Sequence, residues 1–362
     1  MSARPARERE AFRLAAPTVL VAVAVLAMSL AVRAESPPPL FPVHKDGKWG
    51  YIDRSGRIVI PPRFESAQRF SEGLASVALD GRRGYIDATG ELVLVPEQEP
   101  AGPIHRQFAG GLAAVRVGKG IGFIDRAGKL VIPARFMSAE DFSQGLAFAC
   151  GKSGCGYIDR AGRGAFGPGF LGGMPFRGGV AGVWIGKNGM GGKSYALYDL
   201  QRGRLTGEWE NVGSLSEGLI AIRMQGRWGY VDGNGRGVIR PQFAGAGEFS
   251  EGLAPVAEQA WTCGYVDRSG KLVIPARFRL CYSLSSGLAR VELLDPDAKR
   301  TQAAFIDRTG KVVIEGAATV PPFDIAEDFV DGLAAVEAVG ASGARRLGYI
   351  DPAGRYVWPP TE

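Results

Sequence analysis

Hydrophobic and polar positions along this chain alternate in short runs. Residues 47–60 read GKWGYIDRSGRIVI, and residues 226–239 read GRWGYVDGNGRGVI. In the first run a period of two puts Trp49, Tyr51 and Asp53 on one side and Gly50 and Ile52 on the other. So short and aromatic a run predicts a strand. Asp53-Arg54-Ser55-Gly56 then predicts a type I turn: Asp at its first position caps the turn's own N–H groups, and Gly at its fourth accepts positive φ. RIVIP predicts a second strand, ended by a Pro that cannot donate to a ladder. The stretch PPRFESAQRFSEG reads as a loop or a single helical turn, and GLASV at 73–77 as a third strand.

The pattern recurs along the chain. Its Asp falls at Asp53, Asp87, Asp125, Asp159, Asp199, Asp232, Asp267, Asp307 and Asp351, at spacings from 33 to 44 residues. Relatives of GLASV stand in phase with it, and three residues before each comes Phe70, Phe108, Phe142, Phe176, Leu215, Phe249, Leu284 or Phe329. A period of this length marks a repeat architecture. One unit cannot bury its Phe, Ile and Leu alone, whereas stacked neighbours can. The Phe series therefore predicts core, and the Asp series predicts turn caps. A calcium loop is a poor account of the Asp series, because no second acid follows each Asp at a spacing of two.

The recurring unit WGYID-xxGK-hVIPPxF…F-S-E-GLAxV resembles the bacterial WG-repeat, or KWG-repeat, family. Residues 47–78 and 226–257 match it almost completely, and degenerate copies cover 43–359. The Trp survives only at Trp49 and Trp228; Arg83, Ile121, Cys155, Cys263 and Leu347 hold its place elsewhere. The resemblance implies a tandem array and leaves the activity open. The expected fold is all-β: a repeat array of short antiparallel hairpin or meander units with three strands each. An open, solenoid-like superhelix is favoured. The alternative is closure into a propeller-like ring, although nine units exceed the usual four to eight blades and three strands fall short of four. About nine repeats fill 43–359 after a Pro-rich lead-in at 35–42, with a Gly-rich copy at 161–212 expected to be irregular.

The first 34 residues differ in kind. A basic start with Arg4, Arg7, Arg9 and Arg13 precedes an uncharged run from Ala15 to Val32, then Val32-Arg33-Ala34. That order predicts a signal peptide; the alternative is an uncleaved membrane anchor facing the bulk of the chain outward. Either way the expected location is outside the cytoplasm, periplasmic or extracellular. Of the net charge of +6, this segment carries five Arg and two Glu, so the remainder gives no electrostatic case for nucleic acid. Disulfides persist outside the cytoplasm, and the four cysteines offer two pairs, Cys150 with Cys155 and Cys263 with Cys281, against four free thiols.

Chemistry is sparse. The only two histidines are His44 and His105, and no nucleophile elbow, zinc signature or phosphate loop occurs. Nothing calls for a cofactor or a metal. Two readings stand for Trp49 and Trp228: packing between repeats or, with Tyr51 and Tyr230, an exposed aromatic strip that takes a peptide or a glycan. The expected function is an exported, non-catalytic binding or scaffold module of the cell envelope. Its partner would be another protein or an envelope glycan, with membrane contact only through an uncleaved N-terminal segment. The alternative is an envelope hydrolase or an enzyme inhibitor whose site forms between repeats.

Overall fold

The computed structural model describes residues 38–95, 107–166, 169–187, 192–259, 262–293, 302–339 and 343–360. The expected export segment and His105 lie outside these residues. The described chain is all-β apart from one 3-10 turn at Gly316–Ala318. Its strands form eight antiparallel sheets: two of three strands, five of four, and one of seven. The seven-stranded sheet is two units fused by a single long strand, Leu272–Ser285. Counted by its repeating pattern, the chain therefore makes nine units.

Unit 6 shows the plan, with strands Asn211–Val212, Leu219–Met224, Arg227–Asp232 and Gly237–Phe243 in that order across the sheet. Two expectations need correction. The stretch read as a loop or helical turn contains a two-residue strand that pairs with the next; Ser66–Ala67, for instance, pairs with Ala78 and Val77. A full unit thus has four strands rather than three. Nor does Pro end the last strand, for Ile58–Phe64 runs through Pro61 and Pro62. This strand is the outer edge of its sheet, where a missing donor goes unmissed and protects the edge from pairing with another chain. The Gly-rich copy is also more regular than expected, giving unit 5 four strands: Gly172–Gly173, Val180–Lys187, Lys193–Asp199 and Arg204–Trp209. At the start, strand Phe41–Lys45 reaches back into the stretch read as lead-in.

Both faces of each sheet are covered by neighbouring units, so apolar residues on either side of a strand are buried. The third strand of each unit carries a large residue, fully buried as Tyr51, Tyr85, Phe123, Tyr157, Tyr230, Tyr265, Phe305 and Tyr349. Six of them reach into the next unit and meet the recurring Phe there, while Tyr265 packs in one cluster with Leu284, which holds its place. Ring centroids are 5.0 Å apart for Tyr51–Phe70, 4.9 Å for Tyr85–Phe108, 4.7 Å for Tyr157–Phe176 and 4.9 Å for Tyr230–Phe249. Edge-on pairs of this kind are worth about 0.5–1.5 kcal/mol beyond their burial. The Tyr hydroxyl donates to a main-chain carbonyl of the next unit: Tyr51 to Gln68, Tyr230 to Gly247 and Tyr265 to Tyr282.

The Ser and Glu of the FSEG turn make a second joint. Ser71 Oγ donates to Phe108 O, Ser216 Oγ to Phe249 O and Ser250 Oγ to Leu284 O, always one unit on. The carboxylate of Glu72 accepts from the amides of Gly110 and Gly111, and that of Glu217 from Gly252. The Arg after the turn Asp points back the other way, Arg126 to Glu72 O and Arg308 to Glu251 O.

The same devices join the last unit to the first. Tyr349 Oη donates to Pro42 O at 2.9 Å, and its ring lies 5.6 Å from that of Phe41. Arg54 of unit 1 faces Asp331 of unit 9 at 4.0 Å. Phe41, Val43, Ile52, Leu333, Ala335 and Tyr349 form one buried cluster across this seam. The array is therefore closed, and of the two arrangements weighed from the sequence the propeller-like ring is the one formed. Among the described residues the seam contains no shared strand: Tyr356–Trp358 pairs only within its own sheet. Two ion pairs skip a unit: Arg69 with Glu327 joins units 2 and 9, and Arg177 with Glu248 joins units 5 and 7. Side chains from units that are not neighbours meet only where units converge, so these pairs mark the ring's inner rim.

Candidate functional site

The aromatic strip proposed from the sequence is not a surface. Tyr51 is 0% exposed and Tyr230 1%, because their side of the strand faces the next unit rather than solvent. Burial pushes both hydroxyls up from their ordinary range. Trp49 and Trp228 are half-buried at the far end of the same strands, opposite Phe64 and Phe243 of their own sheets. Trp49 also meets the His44 ring edge-on at 5.2 Å. No run of exposed aromatics joins these four residues.

The nine Asp residues sit in their turns. Asp53 Oδ1 accepts from the amides of Ser55 and Arg57 and from the Ser55 hydroxyl. That hydroxyl foremost, with the amides, holds the Asp53 carboxyl at about 2 against partial burial acting the other way. Thr89, Ser269 and Thr309 act in the same way on Asp87, Asp267 and Asp307. Among the described residues no group of three or more His, Cys, Asp or Glu could hold a metal ion.

The four cysteines form two disulfides. Cys263–Cys281, with Cα atoms 6.0 Å apart, ties the third strand of unit 7 to the long strand shared with unit 8. Cys150–Cys155 bridges directly opposed residues of unit 4, Leu146–Gly151 against Gly154–Asp159.

This second disulfide stands on the wall of a groove between units 3 and 4, which encloses about 1010 Å³. One side is the hairpin tip of unit 3, with Lys119 and Gly120, and the end of its outer strand, with Arg135, Phe136 and Met137. The other side is the hairpin of unit 4, from Gly151 to Ile158. Lys119, Arg135 and Lys152 are exposed, and among the described residues no Asp or Glu lines the groove. Arg135 is anchored: it donates to Gly162 O at 2.5 Å and lies over the Phe136 ring. Arg63 and Arg277 make the same bond to Gly90 O and Gly310 O, so this contact belongs to the joint between units. Met137 is 63% exposed, an unusual share for so large an apolar side chain.

Unit 4 departs from the pattern where the groove opens. At Leu130 and Val131 of unit 3, the outer strand of unit 4 has Gly164 and Ala165. Its described strand Gly164–Phe166 pairs with Tyr157 and Ile158, and residues 167 and 168 after it lie outside the described ones. In units 1, 3, 6 and 7 the outer strand also pairs at Trp49, Ile121, Trp228 and Cys263. Cys155 holds the corresponding place in unit 4. Apart from Cys155, sequence reasoning singled out no residue of this groove. The readable signal was Ala165, where seven of the other units carry Val.

These features define a ring-shaped all-β repeat protein. Five segments, 49–82, 121–150, 228–258, 264–295 and 304–338, match the family described as WG containing repeat, and the chain is a WG-repeat protein. No curated protein matches it in sequence. Among solved structures, the crystal structure of the eukaryotic initiation factor is similar with a TM-score of 0.63 at 10% identity, covering 88% of this chain and 95% of that one. At such identity the likeness shows the fold alone. Puromycin hydrolase (TM-score 0.41, 14% identity, 90% of this chain and 54% of that one) and dipeptidyl peptidase 4 of Porphyromonas gingivalis (0.42, 9%, 89% and 59%) are more distant. At those scores they bear on neither reaction nor ligand.

Proposed function

We propose that this protein is an exported, non-catalytic binding module of the cell envelope, a rigid ring that holds a partner in the groove between units 3 and 4. The single observation that carries the reading is the groove itself: a concave site of about 1010 Å³ between two units. Its ionisable lining is Lys119, Arg135, Lys152 and Tyr157, and the Tyr157 hydroxyl already donates to Met174 O. Cys155 is tied up in its disulfide. Such a lining suits holding better than proton transfer, which needs a base near neutral pKa within reach of the substrate. Export is supported by the apolar N-terminal run and by two disulfides, which persist in oxidising compartments.

The test is capture from envelope extract by the full-length protein and by a Met137→Glu variant, whose side chain is exposed and carries no core packing. A partner retained by the parent and lost by the variant is the expected result. Turnover of muropeptides or oligosaccharides by the pure protein would instead establish the hydrolase reading.

A further inference from the structure

Apart from the groove, we propose that the outer rim of units 6, 7, 8, 9 and 1 is a second docking surface, for an extended acidic segment of a partner polypeptide that runs around the ring. In these units the outer strand opens in one repeated order: a cation just after the Asp turn, then an outward Val. Arg236 and Val238, Lys271 and Val273, Lys311 and Val313, Arg355 and Val357, and Arg57 and Val59 follow one another along the rim. All five cations are exposed. So are Val59, Val238, Val273 and Val313, from 37% to 46%, while Val357 is half-buried. The outer strands stand in contact. The turn glycine of one unit lies on the outer-strand Ile of the unit before: Gly270 on Ile239, Gly310 on Ile274 and Gly354 on Ile314. Across the seam Gly56 lies on the main chain of Val357. The cation that follows each glycine therefore comes next to the outer strand of the preceding unit. Val and cation alternate around five units and over the seam. The residues of this row, 53–60, 232–239, 267–274, 307–314 and 351–358, are all described.

Charge on an edge strand ordinarily keeps other strands away. Either sign serves that role, whereas the charge after the turn is positive in all five of these units; unit 2 holds Glu91 there. The nearby acids are drawn inward. Arg57 and Arg355 rest on their own turn Asp, yet their side chains are 79% and 80% exposed against 18% for each Asp. Glu315, exposed two residues beyond Val313, is the one acid further along these outer strands. Two copies of such a rim repel each other, and an acidic chain is drawn to it. A flat bilayer meets a convex rim at one or two units, while a strap bends round all five. A glycan would call for amide groups or aromatic faces, and the cation and Val positions of the row supply neither. The strap's carboxylates bind the five cations, and the apolar residues between them rest on the Val side chains.

The purified full-length protein is titrated with fluorescein-labelled peptides of about 20 residues, which reach about 65 Å when extended, and binding is read by polarisation. One peptide alternates Glu with Val, the second Glu with Ser, the third Lys with Val. An oligogalacturonate and phosphatidylglycerol vesicles are the glycan and membrane arms, read by calorimetry. The Glu–Val peptide is expected to bind tightest, by about tenfold over Glu–Ser, and to weaken as salt is raised; Lys–Val is expected not to bind. Lys271→Glu combined with Lys311→Glu is expected to weaken Glu–Val binding about tenfold. Lys48→Glu combined with Arg82→Glu makes the same change of charge at exposed hairpin tips and is expected to leave binding intact. All four residues are exposed, so an unchanged thermal midpoint certifies each fold. Val273→Ser with Val313→Ser is expected to erase the preference for Glu–Val over Glu–Ser. Absence of Glu–Val binding overturns the proposal, as does equal binding of Glu–Val and Glu–Ser. Equal loss in the two charge variants would reduce the effect to net charge and overturn it too. So would binding of the oligogalacturonate or the vesicles in place of the Glu–Val peptide.

Discussion

Gly229, the glycine of the Trp-Gly-Tyr motif in unit 6, shows how the repeat works at the scale of one residue. A Cβ there would lie 2.5 Å from Ile239 O and 2.6 Å from Pro241 N, both main-chain atoms of the outer strand. The outer strand crosses the motif at its register shift, and only a bare backbone allows the approach. Gly229→Ala is expected to cost about 3 kcal/mol, read as a lower denaturant midpoint. A midpoint equal to the parent's would show that the crossing has slack. The turn aspartates give a pH expectation. The carboxyls of Asp53, Asp87, Asp159, Asp199, Asp232, Asp267, Asp307 and Asp351 are depressed in the fold, Asp53 to about 2 against an ordinary 3.8. Their contribution is therefore complete above about pH 4 and declines as pH falls from there toward 2. Acid unfolding of a variant with Asp53, Asp267 and Asp307 changed to Asn should show a flatter pH dependence across that window. A slope as steep as the parent's would place the acid sensitivity elsewhere. At this scale the sequence was readable where a residue serves its own turn, as the nine Asp do. Tyr51 and Tyr230 misled because alternation reveals two sides of a strand without revealing whether either is wet. Here both are dry. Ser71 and Glu72 reach into the next unit, so their work was not visible locally, although the recurrence of Ser with Glu or Gln at 143–144, 216–217 and 250–251 carried the signal.

At the scale of the element, the two disulfides constrain different amounts of chain. Cys150–Cys155 closes a separation of 5 residues and Cys263–Cys281 one of 18. Loop-closure entropy gives about 2 kcal/mol for the first and about 3 for the second. Paired Ser substitutions at Cys263 and Cys281 are thus expected to lower stability more than those at Cys150 and Cys155, as measured by equilibrium denaturation. The reverse order would mean that strain or local packing outweighs chain entropy. Strand identity was legible from motif period and turn residues. The two-residue first strand was not, since two residues carry no period. Nor was the passage of the outer strand through Pro61 and Pro62, because Pro stops a strand only where the ladder needs its donor.

For the whole molecule, closure turns on side-by-side packing at a joint with no shared strand. Val43 is 0% exposed in that seam. Val43→Asp puts a carboxylate there without a partner, and a buried unpaired charge is costly enough to part an interface. The radius of gyration from solution scattering should rise while circular dichroism keeps its strand signal. An unchanged radius in a folded variant would show that other contacts keep the ring shut. Closure could not be read from the sequence, because Tyr349 and Pro42 stand 307 residues apart and no local pattern links them. The groove escaped for a related reason: it is a gap between two units, and gaps are not spelled in either.

Strand Leu272–Ser285 has a mechanical consequence. At the other described joints a unit ends one strand and the next starts another. Between units 7 and 8 the backbone is one unbroken beam, braced by Cys263–Cys281. These two units must tilt together as a single plate. Any breathing of the ring is borne by the remaining joints, and motion that widens or narrows the groove between units 3 and 4 happens against this fixed pair of units.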